Sequence, residues 1–343
     1  MIEHTHVMQW PRGTHGYRGS MGDFAQLQDG SLVMSYTEQD NSIAAIRSTD
    51  GGRTWEARAT LVPAVTPPAK GYICHPSFLR CQNGDLLLSY IYSTHPTTPY
   101  YGHNYYRRSS DDGKTWTDQF VMTPHPGYVL VHNDRLFMLS SGRIVAMAEY
   151  KAHKPSSEDH AGFVGLAFYS DDDGYSWQVS SNVVDMQPVE VQEADGVELR
   201  DGRVMMFART YSGYPMRAYS SDGCETWSEG EAISELKMPY AGLPTVRRIP
   251  STGDLLFIWI SGRSVDPTDP RIHRRCRLTS AISADEGRTF THFRHLLDDP
   301  DDDFGYQCVE YLGDGVVLIG YHARDGLHVA RVAIGWFYGG NIA

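Results

Sequence analysis

One eight-residue spelling, Ser-x-Asp-x-Gly-x-Thr-Trp, recurs along the chain and limits the folds that it can adopt. Its first copy is Ser48-Thr-Asp50-Gly-Gly52-Arg-Thr54-Trp55, and four variants occupy residues 109–116, 170–177, 220–227 and 283–290. The Asp and hydroxyl oxygens can accept hydrogen bonds from nearby backbone N–H groups. Gly can take a left-handed conformation, and the aromatic ring can pack under the turn. The octet therefore predicts a structural hairpin turn repeated in similar units, without a catalytic role.

A second periodicity gives the number of units. Gly-containing turn signals separate apolar runs at Asp29-Gly30, Asn83-Gly84, Ser141-Gly142, Asp201-Gly202, Thr252-Gly253 and Asp314-Gly315. Each unit reads as four short strands, and a closed ring of such antiparallel units is a β-propeller. We predict an all-β, six-bladed β-propeller with four-stranded antiparallel blades, forming a single domain over residues 1–343. The sixth unit has Asp325-Gly326 in place of an octet, so an N-terminal strand, about residues 5–10, is expected to complete the last blade.

Composition and charge exclude several classes of partner. A formal net charge of −12 argues against nucleic-acid binding, and no apolar run is long enough to span a membrane. The N-terminus lacks the basic flank and apolar core of a signal peptide, and the five cysteines show no Cys-x-x-Cys spacing, so we expect a cytoplasmic protein. No metal-ligand spacing or cofactor motif is recognised, and neither a metal nor a cofactor is expected. A homo-oligomer is compatible with the sequence.

Polar residues cluster where a propeller would form a site. The loops that enter each inner strand and leave each second strand open on the same face, so residues distant in sequence meet there. These positions are unusually rich in Arg, Tyr, His and carboxylates. The candidates are Arg18, Asp23, Glu38, Asp40, His75, His132, Asp134, Arg135, Glu193, Arg209, Tyr240, Arg275 and Tyr306.

These residues and repeats carry a family resemblance over essentially the whole chain. The octets, the pair Tyr17-Arg18, the run from Glu193 to Arg209, the run from Arg275 to Ser283 and Phe304-Gly305-Tyr306 resemble the sialidase (neuraminidase) superfamily, and more narrowly bacterial BNR-repeat proteins. The resemblance implies that Arg18, Arg209 and Arg275 hold a substrate carboxylate. It also implies that Tyr306, paired with Glu193, is the nucleophile, and that an Asp near the first octet is the acid.

The chemistry of these residue types agrees with that implication. A guanidinium is a planar, permanently charged fork that binds a carboxylate through two hydrogen bonds. A sialic acid carries its carboxylate on the anomeric carbon, so a neutral Tyr hydroxyl can approach where a carboxylate nucleophile would be repelled. We therefore expect a retaining exo-glycosidase that cleaves a terminal acidic sugar from an oligosaccharide.

Two features depart from the sialidase pattern. Gly19-Ser20 follows Tyr17-Arg18 where Ile-Pro is usual. The acid has two main candidates, Glu38 and Asp40, of which Asp40 is favoured because it is nearer the start of the third strand, and Asp23 is an outside candidate. The blades near His75, His132, Asp134 and Arg135 also present a histidine-rich edge that sialidase chemistry does not require.

Two alternative functions therefore stay open. The first is a polysaccharide or oligosaccharide lyase, or another uronate-directed enzyme, in which a His or Tyr removes a proton next to the carboxylate. The second is a non-catalytic glycan-binding propeller, because a fold does not determine a function.

Overall fold

The described residues form antiparallel sheets arranged around an axis, with one short helix among them. The structure is a computed structural model that describes residues 2–9, 21–66, 69, 71–94, 101–152, 162–238, 242–263, 268 and 275–339. None of the helices in these ranges is long and apolar enough to cross a membrane.

Four sheets have four strands each. The first sheet contains β2 (Met21–Gln26), β3 (Leu32–Thr37), β4 (Ile43–Ser48) and β5 (Glu56–Val62). The second contains β15 (Val191–Glu198), β16 (Val204–Thr210), β17 (Met216–Ser220) and β18 (Glu231–Ala232). The third contains β19 (Thr245–Arg248), β20 (Leu255–Ile260), β21 (Arg277–Ser283) and β22 (Thr291–Asp298). The last contains β23 (Gly305–Tyr311), β24 (Val316–Ala323), β25 (Gly326–Ala333) and β1 (Ile2–Gln9).

The remaining strands form one nine-stranded sheet. It contains β6 (Tyr72–Arg80), β7 (Leu86–Ser93), β8 (Gly102–Ser109), β9 (Phe120–Val121), β10 (Tyr128–Leu130), β11 (Leu136–Met138), β12 (Ile144–Lys151), β13 (Val164–Ser170) and β14 (Gln178–Val179). The helix α1 (Ile334–Phe337) follows β25.

The all-β propeller fold is confirmed, but the prediction of six separate four-stranded blades is wrong. Four blades are separate sheets, whereas the second and third units share the nine-stranded sheet because β10 joins them. Strand β10 pairs in parallel with β8 at Tyr128 and Gly102, and antiparallel with β12. A Cβ at Gly102 would lie 2.6 Å from the Tyr128 ring, so glycine permits this approach. The Asn104 side chain on β8 also bonds the backbone N–H and C=O of Val131.

The innermost strands pack side by side around the axis. Strand β2 contacts both β6 and β23, while β15 contacts β12 and β19. The first and last sheets are thus neighbours. Strand β1 pairs with β25 and is the outer strand of the last sheet, beginning a few residues earlier than the predicted segment.

The recurring octet forms the predicted self-capped turn. In the first copy, the Gly52 N–H donates to Ser48 Oγ at 2.8 Å, and the Thr54 hydroxyl donates to Asp50 Oδ2 at 2.6 Å. The aromatic ring packs against the inner strand, with the Trp55 and Phe24 ring centroids 5.8 Å apart. The octet therefore holds the turn between third and fourth strands, away from the axis where the site lies.

Candidate active site

Backbone bulges near the start of three inner strands direct side chains towards one point. The register shifts between Cys74 and Ser77, between Gln192 and Asp195, and between Gly305 and Cys308. Inside these bulges His75, Glu193 and Tyr306 have φ of 52°, 50° and 52°. A non-glycine residue with such a φ is strained by about 1–3 kcal/mol, and a bulge changes the direction of the side chain it carries.

Tyr306 and Glu193 form the centre of the site. The Tyr306 hydroxyl donates to Glu193 Oε1 at 3.1 Å, and both residues are buried. Burial and the negative charge of Glu193 raise the pKa of Tyr306 above its ordinary value. Burial opposes ionisation of Glu193, but the charges of Arg209, His132 and Arg275 outweigh it and lower its pKa to about 2. The resting pair is therefore a neutral phenol and a carboxylate.

Two buried arginines flank this pair. Arg209, near the end of β16, places Nη1 2.9 Å from Glu193 Oε2 and donates from Nη2 to Gln192 and Tyr211. The Arg275 guanidinium carbon lies 5.2 Å from the centre of the Tyr306 ring. Its Nε and Nη1 are buried and have no hydrogen-bond partner in the described part of the chain. Buried guanidinium donors of this kind can bind an anionic group.

Three histidines surround the Tyr306 ring on its other sides. The ring centroids of His75, His322 and His132 lie 5.0, 5.7 and 6.3 Å from that of Tyr306. Burial, reinforced by the charge of neighbouring His132, lowers the pKa of His75 well below its ordinary value, so its imidazole is neutral.

Glu149 links the histidines to the central pair. Its Oε1 lies 3.4 Å from His132 Nε2, and its Oε2 accepts the Glu193 N–H at 2.8 Å. Sequence reasoning missed Glu149, although a carboxylate within the apolar strand β12 was a signal that it faced a polar partner.

Three predicted substrate-binding residues belong instead to a network that joins the inner strands. Asp23 accepts the Phe78 N–H at 2.9 Å and the Ser77 hydroxyl at 3.0 Å. Asp134 accepts the Val309 N–H at 3.0 Å, and Arg135 Nη1 lies 3.6 Å from Asp195 Oδ2. All three predicted residues are buried and bonded to neighbouring strands.

Arg247, which the sequence did not single out, connects this network. Its guanidinium pairs with both Asp134 and Asp195, contacting the latter at 2.6 Å. Arg247 also donates to the Asp134 carbonyl at 2.6 Å. We call this group, made of Asp23, Asp134, Arg135, Asp195 and Arg247, the axial network.

The two predicted acids, Glu38 and Asp40, lie apart from the central pair. Glu38 is ion-paired with Arg58 of the outer strand β5, and hydrogen bonding by Arg58 lowers its pKa. Asp40 accepts the Ser42 N–H at 2.8 Å within its own loop, and hydrogen bonding by Ser42 lowers its pKa. A lowered pKa is opposite to what a general acid needs. The remaining predicted residues, Arg18 and Tyr240, lie outside the described residues.

The Glu193–Arg209 ion pair predicts a pH-dependent stability. Replacing Glu193 by Gln leaves Arg209 buried without its carboxylate, which should cost about 3–5 kcal/mol of unfolding free energy. Because the folded-state pKa of about 2 lies below the ordinary 4.5, the stabilisation is complete above pH 4.5 and is lost as the pH falls towards 2. Urea denaturation measures the free energy of unfolding of the wild type and of Glu193→Gln. The difference between the two should be constant near neutral pH and should shrink below about pH 4.5.

The exposed Glu235→Gln variant is the matched control and should show little difference at any pH. If the unfolding free energy that is lost in Glu193→Gln increases as the pH falls, the Glu193–Arg209 ion pair does not stabilise the fold as described.

Sequence similarity connects the chain to two repeat families and to a known sialidase. The model described as "BNR repeat-like domain" matches residues 73–319, and that described as "BNR/Asp-box repeat" matches residues 46–57. The sialidase of Micromonospora viridifaciens is 27% identical over an alignment that covers 91% of this chain and 50% of that protein. The chain spans half or less of the length of the curated relatives it matches.

Solved structures share the fold at low sequence identity. The Hadza microbial sialidase Hz136 superposes with a TM-score of 0.75 at 18% identity, covering 94% of this chain and 66% of that one. A protein of unknown function from Dyadobacter fermentans gives a TM-score of 0.74 at 18% identity, and the superposition covers 96% of this chain and 98% of that one. Because the first family model matches well over half of the residues, the chain belongs to the BNR repeat-like domain family and is a sialidase-like protein, as its resemblance indicated.

Proposed function

We propose that this chain is a glycoside hydrolase of sialidase type that releases a terminal acidic sugar from an oligosaccharide. The observation that carries the proposal is Arg275, whose buried Nε and Nη1 have no partner in the described residues and lie beside the Tyr306–Glu193 pair. The 27% identity to the Micromonospora sialidase supports the same reaction class.

The substrate carboxylate binds to arginines in this account. Arg275 supplies the unused donors, and Arg209 supplies a second guanidinium that is fixed by Glu193 and Gln192. A planar carboxylate satisfies such donors in pairs, which selects an acidic sugar over a neutral one. Arg18 is proposed as the third arm.

Tyr306 acts as the nucleophile. As its oxygen forms a bond to the anomeric carbon, the phenolic proton passes to Glu193, which already accepts a hydrogen bond from it. The neutral phenol avoids repulsion by the anomeric carboxylate, and no phenolate is needed beforehand. The glycosidic bond breaks as its oxygen is protonated. Water later attacks the anomeric carbon and gives a proton to the deprotonated acid, while the Tyr306 oxygen leaves and takes its proton back from Glu193, which releases the sugar with retained configuration.

The leaving oxygen needs a proton, and His132 is the proposed donor. Glu38 and Asp40 are engaged elsewhere with lowered pKa values, whereas His132 lies beside Tyr306 and is paired with Glu149. General acid catalysis by a positioned histidine typically contributes about 10²–10⁴-fold. His75 is neutral and less suited to this step.

The first test is hydrolysis of a fluorogenic α-sialoside by the wild type and by Tyr306→Phe. We expect release by the wild type and loss of at least about 100-fold in kcat/KM in the variant, because only the nucleophilic hydroxyl is removed. Tyr338→Phe removes a hydroxyl that bonds Asp254 on the outer surface and is the matched control.

Full activity of Tyr306→Phe would contradict the assignment of Tyr306 as the nucleophile. Silence of the wild type on sialosides, with new ultraviolet absorbance from a uronate oligosaccharide, would contradict the hydrolase and indicate elimination.

The second test concerns the proton donor and uses two leaving groups. An aryl group departs as a stable phenolate, whereas a sugar hydroxyl must be protonated as it leaves. We expect His132→Gln to lower kcat/KM for a sialyl oligosaccharide by about 10²–10⁴-fold and for an aryl sialoside by less than about 10-fold. His295→Gln, on the outer strand β22, is the control. Equal losses on both substrates would show that His132 does not donate the proton.

A further inference from the structure

A second cluster of ligand-type side chains lies on the outer part of the last sheet. Single nitrogen or oxygen atoms of His6, Asp325 and His328 all lie within 4.8 Å of one another. None of these residues takes part in the proposed hydrolysis. We propose that they form a binding site for a divalent transition-metal ion such as Zn²⁺, which joins the N-terminal strand to the last sheet.

The pairing of β1 with β25 builds this cluster. His6 and His328 are direct partners in the antiparallel register, and their rings stack 4.4 Å apart at an interplanar angle of 3°. Because imidazole lone pairs lie in the ring plane, the exposed His6 ring turns out of this stack when both residues bind one ion. Asp325 is in the turn before β25, and its Oδ1 lies 2.7 Å from His328 Nε2. The two histidines come from opposite ends of the chain, so no sequence spacing could reveal the group.

A backbone carbonyl lies beside one ring nitrogen of His6. The register shifts between His6 and Met8, and the Met8 carbonyl oxygen lies 3.0 Å from His6 Nε2. A Cβ at residue 326 would lie 1.7 Å from that oxygen, so Gly326 is required for the strand to approach. When Nε2–H donates to the carbonyl, Nδ1 carries the lone pair. A metal-binding histidine typically donates its second N–H to such an acceptor.

His328 is held by a ring on its other side. Tyr321 on β24 stacks on it with centroids 5.3 Å apart and an interplanar angle of 12°. The side chain of His328 is 15% exposed and that of Asp325 is 58% exposed, so an ion can reach the group from solvent. In the metal-free form His328 and Asp325 share a hydrogen bond, and binding of the ion would displace that proton.

The donor set determines the kind of ion. Two imidazoles and one carboxylate suit Zn²⁺, Ni²⁺ or Cu²⁺ better than Ca²⁺ or Mg²⁺, which prefer oxygen ligands. Three protein ligands leave a position for water. Because His6 is on β1 and the other two ligands are on or beside β25, the bound ion stabilises the strand pairing and raises the unfolding temperature.

The test uses the full chain after treatment with a chelator. Calorimetric titration with ZnCl₂ should show a single site, and Zn²⁺ should raise Tm where Mg²⁺ does not. Replacement by Co²⁺ should give the visible d–d absorption of a nitrogen- and oxygen-ligated ion. His6→Ala, which removes an exposed side chain, should weaken Zn²⁺ binding by at least about 100-fold and abolish the Tm shift. Asp325→Asn should weaken binding by at least about 10-fold.

His125→Gln, a substitution in a loop away from the cluster, is the control and should bind as the wild type does. Failure of the wild type to bind Zn²⁺ at millimolar concentration would overturn the proposal. Equal Zn²⁺ affinity and equal Co²⁺ spectra in the wild type and in both His6→Ala and Asp325→Asn would also overturn it. Sialoside hydrolysis measured on the same preparations is independent of this site.

Discussion

The pairing of charges buried on the axis determines how the sheets meet and where chemistry can occur. Arg247 contacts Asp134 and Asp195, which belong to different parts of the ring, so removing any member would leave an uncompensated buried charge. The same rule operates at the site, where Arg209 compensates Glu193. Arg275, buried beside Tyr306, has Nε and Nη1 donors without a hydrogen-bond partner among the described residues, and the proposed function assigns these donors to an anionic ligand.

Backbone strain and electrostatics act together at the central pair. A left-handed backbone conformation within a bulge recurs at His75, Glu193 and Tyr306. In each of the three strands it directs the side chain towards the same point. The arginines keep Glu193 ionised despite its burial, while the same carboxylate keeps Tyr306 protonated. In the proposed reaction, proton transfer from Tyr306 to Glu193 therefore accompanies bond formation instead of preceding it. Glu149 connects His132 to the Glu193 backbone, so the proposed acid and the proton acceptor are positioned by one side chain.

The local chemistry of the sequence predicted the repeated turns, and the family resemblance indicated that Tyr306 and Glu193 form a pair. Octet hydrogen bonds involve residues within eight positions, so composition and spacing are enough to predict them. The joining of two blades could not be predicted, because it depends on Tyr128 approaching Gly102 and on the Asn104 amide. Asp23, Asp134 and Arg135 were assigned to substrate because they precede or begin inner strands. Only the structure distinguishes a side chain that faces the pocket from one that ties neighbouring strands together. The proposed acid was missed for a related reason, since the His132–Glu149 pair forms between an inner-strand loop and the end of β12.

The most direct test of the central claim is mechanism-based labelling by a sialic acid derivative with fluorine at carbons 2 and 3. Fluoride leaves without a proton, and the second fluorine slows release of the sugar, so a covalent intermediate accumulates. Peptide mass spectrometry of the labelled protein should find one added sugar on the peptide that contains Tyr306, and none in Tyr306→Phe. A stable adduct on another residue, or continued sialoside hydrolysis with no adduct at all, would contradict the account.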